Sequence, residues 1–186
     1  MNQACAETPQ PPPDLANERL TLRGWRSDER DVATVFRASR DAKVQKYSPS
    51  IGKVRSEADA QAWISFAINR FDRYDWAVEC EGNTVGRVGL VRIRADSGEA
   101  EIGYWLLPEA RGLGIASDAV AVVSRWAFVE GGFGRLEIRH LLDNQSSCGV
   151  AERCRFIAEG VQRGALLVGE VRYDLHLHAR LATDQQ

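Results

Sequence analysis

The residues Ala100-Glu-Ile-Gly-Tyr-Trp-Leu-Leu107 run directly into Pro108-Glu-Ala-Arg-Gly-Leu-Gly-Ile-Ala116, so a strand passes into a helix through a glycine-rich turn. Strand alternation puts Glu101 and Gly103 on one face and Ile102 and Tyr104 on the other. From Ile115 to about Val129 the period becomes helical, with Ala119, Val122, Val123, Trp126 and Ala127 on one side, until Gly131-Gly132 ends it. Gly112 and Gly114 carry no Cβ, so their backbone can approach a ligand closely and adopt dihedrals that other residues resist. Unpaired N–H groups at the helix start, aided by the helix dipole, form an anion site beside the positive charge of Arg111. A pyrophosphate is the natural occupant. A tight turn with no ligand explains the glycines equally well. A dinucleotide fingerprint fits poorly, because Ser117 stands where its third glycine belongs and an antiparallel hairpin precedes it. No Gly-Lys-Ser/Thr follows, which excludes a P-loop.

Upstream of this turn, Trp76–Cys80 and Val85–Arg94 flank Glu81-Gly82-Asn83 and read as an antiparallel hairpin. Leu20–Arg23 reads as a short strand. Helices are expected after Ser27, as N-cap, and from Ser56 to about Phe71, with Asp59 completing the cap of the second. Downstream, Arg135–His140 is a strand, Gln145–Arg153 a short helix, and 156–161 and 172–177 are closing strands. The order βααβββαβαββ implies an α+β class with a mixed sheet. Residues 18–181 form one domain, residues 1–17 hold four of the six prolines and read as a disordered arm, and 182–186 are a tail.

A formal net charge of −2 gives no reason to expect nucleic acid or a membrane surface as a partner. No stretch approaches the 18 apolar residues of a membrane span, and the first 16 residues lack the regions of a secretory signal. Cys5, Cys80, Cys148 and Cys154 show no metal-ligand or redox spacing and read as reduced thiols, so a cytoplasmic protein without a metal is expected. His140, His176 and His178, lying on or near strands, read as structural.

Pro108-x-x-Arg111-Gly112-x-Gly114-x-Ala116 resembles the Arg/Gln-x-x-Gly-x-Gly/Ala element of the GNAT N-acetyltransferases. The segments Ala100–Leu106, Asn144-x-x-Ser147-x-x-Val150-Ala-Glu-Arg153-x-x-Phe156 and Tyr173–Arg180 are similar to the ribosomal-protein N-terminal acetyltransferase (RimJ/RimL-like) branch. The resemblance spans residues 18 to 181 and implies a largely antiparallel sheet, splayed at its middle and flanked by about four helices. It implies acetyl-CoA as the acyl donor. The backbone of Trp105, Leu106 and Leu107 would pair with the pantetheine arm, and Arg111, Gly112, Leu113, Gly114, Ile115 and Ala116 would hold the pyrophosphate, with Ser117 a further contact. Asn144 would contact the CoA arm, a role compatible with capping the next helix.

By the same resemblance, Ser147 would protonate the departing thiolate, and the Leu106 N–H would polarise the thioester carbonyl. Glu101 is the candidate base; an exposed strand carboxylate that orients the acceptor is its bland alternative. The acceptor would be a primary amine, either a peptide N-terminus or a small molecule, and the branch leans toward homodimers. The chain departs from the family at Arg155, where a glycine is usual, and at Ala165-Leu166-Leu167, where some relatives place a carboxylate. Arg40 to Arg55 reads as an acceptor-side loop. Transfer of a longer acyl group such as succinyl, or non-catalytic CoA binding, are the competing readings.

Overall fold

A computed structural model describes residues 11–70 and 72–185. Eight strands form one sheet: β1 (Leu15–Ala16), β2 (Thr21–Gly24), β3 (Tyr74–Cys80), β4 (Asn83–Arg94), β5 (Glu99–Leu106), β6 (Arg135–Leu141), β7 (Ile157–Val168) and β8 (Val171–Leu181). Their order is β1-β2-β3-β4-β5-β6-β8-β7, and every neighbouring pair is antiparallel except β5–β6. Among the described residues there are five α-helices: α1 (Glu29–Arg40), α2 (Ala42–Tyr47), α3 (Glu57–Ile68), α4 (Ile115–Val129) and α5 (Gln145–Arg153).

The sheet separates two apolar cores. On one face Ile102 and Leu106 of β5 join Trp76, Val88, Leu136 and Ile138 beneath α4 and α5. On the other, Trp105 packs with Trp25, Val35 and Ile64 beneath α1 and α3. Because side chains alternate along β5, one strand feeds both layers. Trp25, Trp63 and Trp105 form a cluster with centroids 5.5 to 6.5 Å apart, in tilted and edge-on geometry. Arg23 and Asp31 are buried as a bidentate pair at 2.9 Å, with Thr84 donating to Asp31 at 2.9 Å. Burial opposes the Asp31 charge, but Arg23, the Arg26 N–H and Thr84 outweigh it and hold its carboxyl below the usual range.

The parallel pair β5–β6 is short: Glu99, Ala100 and Glu101 face Arg135, Leu136 and Glu137, and the ladder stops there. The rest of β5 keeps its antiparallel pairing to β4 as far as Gly86 opposite Leu106. The expected splay therefore lies between β5 and β6. The register irregularity lies on the opposite side, between Val91 and Arg94 of β4, where Arg92 takes φ 51°.

Several boundaries differ from the sequence reading. Asp28, not Ser27, caps α1, its Oδ1 accepting from the Asp31 N–H at 2.9 Å; the acidic pair that follows suited either cap. Ser56 and Asp59 form the full capping box of α3, which ends at Ile68. Leu15 and Ala16, assigned to a disordered arm, are a strand against β2, and the Pro13 carbonyl accepts from Trp76 Nε1 at 2.8 Å. Residues 1–10 of that arm lie outside the described residues. The 40–55 segment is no loop: α2 and a single 3₁₀ turn (Ile51–Lys53) occupy it, with Asp41 capping α2 through the Val44 N–H. The β7–β8 hairpin runs on to Val168 opposite Val171, because both its ends are exposed and lack apolar alternation. Ala182–Gln185 forms a 3₁₀ turn whose first N–H bonds the Gly134 carbonyl at 3.0 Å.

Helix α5 ends in a Schellman closure, with the Phe156 N–H on the Ala151 carbonyl and the Arg155 N–H on the Glu152 carbonyl. That geometry needs a left-handed residue, and Arg155 supplies it at φ 62°. A non-glycine residue there is strained by about 1–2 kcal/mol. Arg155→Gly is expected to stabilise the protein by about 0.5–1 kcal/mol once glycine's extra backbone entropy is subtracted. Calorimetry should show a Tm increase of roughly 2–3 °C.

Candidate active site

Where β5 and β6 part, a cleft of about 810 Å³ opens between them. Three elements wall it: the turn from Arg111 into α4, the first turn of α5, and one face of α2. Gly112 and Gly114 have φ of 75° and 83°, so both need the left-handed region, and an added Cβ at Gly112 would meet nothing within 4 Å. The turn is thus kept open by backbone conformation rather than by packing. Gly114 starts α4 with no side-chain cap bond. The N–H groups of Ile115, Ala116 and Ser117 have no intrahelical acceptors, and these residues line the cleft. They form a ready anion cradle.

Backbone direction along β5 decides which groups face the gap. The Leu106 carbonyl accepts from Arg111 Nε at 3.0 Å and Nη2 at 2.8 Å, so it points away from β4. In an extended residue the N–H lies on the same side as the C=O, so the Leu106 N–H faces the gap as expected. Leu107 does not: its N–H bonds the Val85 carbonyl at 2.8 Å and its side chain is fully buried. The Trp105 carbonyl crowds Gly86 on β4, so Trp105 meets the cleft with its side chain rather than its backbone. By alternation the free backbone belongs to Tyr104 and Leu106. The expected trio of Trp105, Leu106 and Leu107 is correct only at its middle member, because three consecutive residues cannot all face one side of a strand.

Arg111 is not a free cation. Its guanidinium holds Asp41 at 2.5 and 3.2 Å while bonding the Leu106 carbonyl. The Arg111 pair holds the Asp41 carboxyl below the ordinary range. Arg111 therefore ties α2 to the end of β5. Leu113 also departs from expectation: its side chain is exposed and its carbonyl accepts from Arg19 Nη2 at 2.7 Å, leaving it outside the cleft wall. Across the cleft mouth, Lys46 of α2 meets Asp143 at 2.5 Å, which raises the lysine pKa.

The first turn of α5 is organised by Asn144, which caps it. Asn144 Oδ1 accepts from the Ser147 N–H at 3.3 Å, and its Nδ2 donates to Ser147 Oγ at 3.0 Å. Since the hydroxyl oxygen accepts, the Ser147 proton is free to be given elsewhere. The Tyr104 hydroxyl lies 3.4 Å from the Ser147 carbonyl and also lines the cleft. Burial pushes the Tyr104 pKa far up, so the phenol stays protonated. Arg153 lines the same wall, donating to Ser117 Oγ at 3.0 Å, with no salt bridge among the described residues. It is a cation that the sequence reading did not assign. Its helical spacing from Ser146 and Val150, which line the same wall, was the available signal.

Glu101 does not fit its expected role as a base. Its Oε2 accepts from Arg139 Nε at 2.8 Å and from Arg139 Nη2, and Arg92 stands 3.4 Å away. It sits where the β5–β6 ladder ends and is not part of the cleft wall. These partners all hold Oε2 and turn the carboxylate toward β6 and β4 instead of the cleft. The cleft does gather Trp105, Leu106, Arg111, Gly112, Gly114, Ile115, Ala116, Asn144 and Ser147.

The family model described as acetyltransferase (GNAT) domain matches residues 19–157. The chain is similar to the putative ribosomal N-acetyltransferase YdaF of Bacillus subtilis, 33% identical over 101 residues, covering 54% of this chain and 55% of that protein. It is also similar to the ribosomal-protein-serine acetyltransferase of Escherichia coli, 33% identical over 105 residues, with 56% and 59% covered. The matched segment thus spans little more than half of each relative. Among solved structures, the self immunity acetyltransferase MccE in complex with acetyl-CoA and AMP superposes with a TM-score of 0.80 at 22% identity, covering 89% of this chain and 93% of that one. That likeness establishes the fold.

Gly112→Ala forces a Cβ into the left-handed region at φ 75° without a steric clash. The strain of about 1–2 kcal/mol should appear as roughly 5- to 30-fold weaker binding of CoA by calorimetry, as the turn relaxes away from its open form.

Proposed function

Because the chain belongs to the GNAT acetyltransferase family, we propose that it transfers the acetyl group of acetyl-CoA to the N-terminal α-amine of a peptide or protein. The observation that carries this is the parting of β5 from β6 after Glu101, with the cradle of α4 at the end of the gap. A pantetheine arm laid in that gap pairs with the free backbone of Tyr104 and Leu106. Its pyrophosphate meets the N–H groups of Gly112 to Ser117, and Arg153 supplies the counter-charge.

The amine attacks the thioester carbonyl directly. The Leu106 N–H faces the gap and polarises the carbonyl, provided the Arg111 bond holds the strand end in place. As the tetrahedral intermediate collapses, the C–S bond breaks and the thiolate takes the Ser147 hydroxyl proton, left available by the Asn144 bond, while the proton shed by the attacking nitrogen restores the serine hydroxyl through water. Tyr104, kept protonated by burial, points its hydroxyl at the Ser147 carbonyl and steadies the first turn of α5. No metal takes part in these steps.

The pairing of nearby carboxylates favours an α-amine. Asp41 is held by Arg111, Asp143 by Lys46 and Glu101 by Arg139. Deprotonation then falls to water. For an α-amine of pKa about 7.8 this costs about 1 kcal/mol at pH 7, whereas a lysine near 10.4 costs roughly 4.6. The relatives named for ribosomal proteins fit such an acceptor.

Thiol release with acetyl-CoA and a short peptide tests the reading. Ser147→Ala should lower kcat by about 100-fold while CoA binding stays within twofold. Glu101→Gln should leave the pH profile unchanged, with kcat/KM half-maximal near pH ~7.8, the pKa of the acceptor amine, and level above it. A profile whose acid limb shifts or disappears in Glu101→Gln would restore Glu101 as the base. Tight CoA binding with no turnover on any amine would make the protein a binding module instead.

A further inference from the structure

Strands β6 and β8 are antiparallel neighbours in which His140 lies opposite His176. His178 follows two residues on, so the three imidazoles share one face of the sheet. Helix α5 crosses that face and brings Cys148 down onto it. One ligand atom from each of His140, Cys148, His176 and His178 lies within 4.8 Å of all the others. Acetyl transfer uses none of the four, and they gather every histidine in the chain.

We infer that His140, Cys148, His176 and His178 bind one divalent transition-metal ion of the zinc type. Three observations support this. First, hydrogen bonding fixes the ligand atom of His140. His140 Nδ1 lies 2.9 Å from the Leu141 carbonyl, so Nδ1 carries the proton and Nε2 keeps its lone pair. That Nε2 is buried and has no partner. A ladder of hydrogen-bonded neutral rings would explain the His176–His178 contact but would leave His140 Nε2 orphaned, at a desolvation cost.

Second, the spacing is that of a tetrahedron about to close. His178 Nε2 lies 3.2 Å from His176 Nδ1 and 3.8 Å from Cys148 Sγ. Zinc bonds of about 2.0–2.1 Å to nitrogen and 2.3 Å to sulfur give ligand-to-ligand edges of about 3.3–3.7 Å. Third, the site is enclosed: His178 is 1% and His140 6% exposed. Four protein ligands in a closed pocket describe a structural centre rather than one with an open position for substrate. Three nitrogens and a thiolate favour zinc over magnesium or calcium. On binding, the Cys148 S–H bond breaks and an S–metal bond forms. The proton passes to Glu152, whose Oε1 lies 3.5 Å from Sγ, and from there to solvent. The bound ion would pin α5 to β6 and β8, one residue from Ser147.

The test is cobalt(II) titration of the full chain after chelator treatment. One equivalent per chain is expected, with the visible bands of tetrahedral cobalt and a thiolate charge-transfer band, both removed by one equivalent of zinc. Cys148→Ser should abolish the charge-transfer band and weaken binding by upwards of about 100-fold, since outer-shell changes alone reach that scale. Cys80→Ser should change neither. Zinc should raise the Tm of the unaltered protein and not that of Cys148→Ser, a readout independent of acetyl transfer. Absence of stoichiometric cobalt binding by the unaltered chain overturns the proposal. So does a charge-transfer band that survives Cys148→Ser.

Discussion

The rest of the molecule is arranged around a ladder that is allowed to fail. β5 and β6 pair through Glu99, Ala100 and Glu101 and then separate, while β5 keeps its other partner, β4, to Leu106. Unpaired backbone amides inside a protein cost free energy comparable to a lost hydrogen bond. The opening is therefore tolerable only where water or a ligand can reach it, and here it coincides with the cleft. The sheet regains continuity on the far side through seven antiparallel pairs of β6 with β8. The apolar core under α4 and α5 takes residues from both sides of the gap, Ile102 and Leu106 of β5 with Leu136 and Ile138 of β6, and so holds the two halves together behind the opening.

Charge holds that opening at a set width. Arg111 bridges the Leu106 carbonyl and Asp41, so the end of β5 and the start of α2 move together. Lys46 and Asp143 link α2 to the loop before α5 across the mouth. Both bridges are partly exposed, and such pairs contribute little to stability on their own. Their effect is geometric, since each joins two walls of the cleft. With Arg111 used in this way, the turn offers anions mainly its backbone N–H groups, and Arg153 and Lys43 are the cations of the cleft wall that form no salt bridge among the described residues.

What was legible in the sequence divides along physical lines. The turn at Gly112 and Gly114 was legible because positive φ and an open helix start leave a residue-level signature. α4 and α5 were placed to the residue because their apolar period and their ends are both marked in sequence. α2 was missed because six residues are too few for a period, and only the Asp41 cap announces it. The pairing of Glu101 with Arg139 and Arg92 was beyond reach, since it depends on which strand lies beside β5 and where that ladder ends. The departure from glycine at Arg155 was legible at a single position, but its left-handed φ is visible only in the structure. Which backbone groups face the gap was misjudged, although the two-residue period of a strand already forbade three in a row.

The histidines show most clearly where linear reading stops. His140, His176, His178 and Cys148 have no ligand spacing along the chain, because their proximity is created by a cross-strand register and a helix crossing. On α5, Ser147 and Cys148 are consecutive, and consecutive helical residues point about 100° apart. One therefore faces the cleft while the next faces the sheet behind it. Anything that fixes Cys148 against β6 and β8 also fixes the direction of the Ser147 hydroxyl. The same short helix that caps itself with Asn144 thus joins the thioester side of the cleft to a polar cluster buried in the sheet.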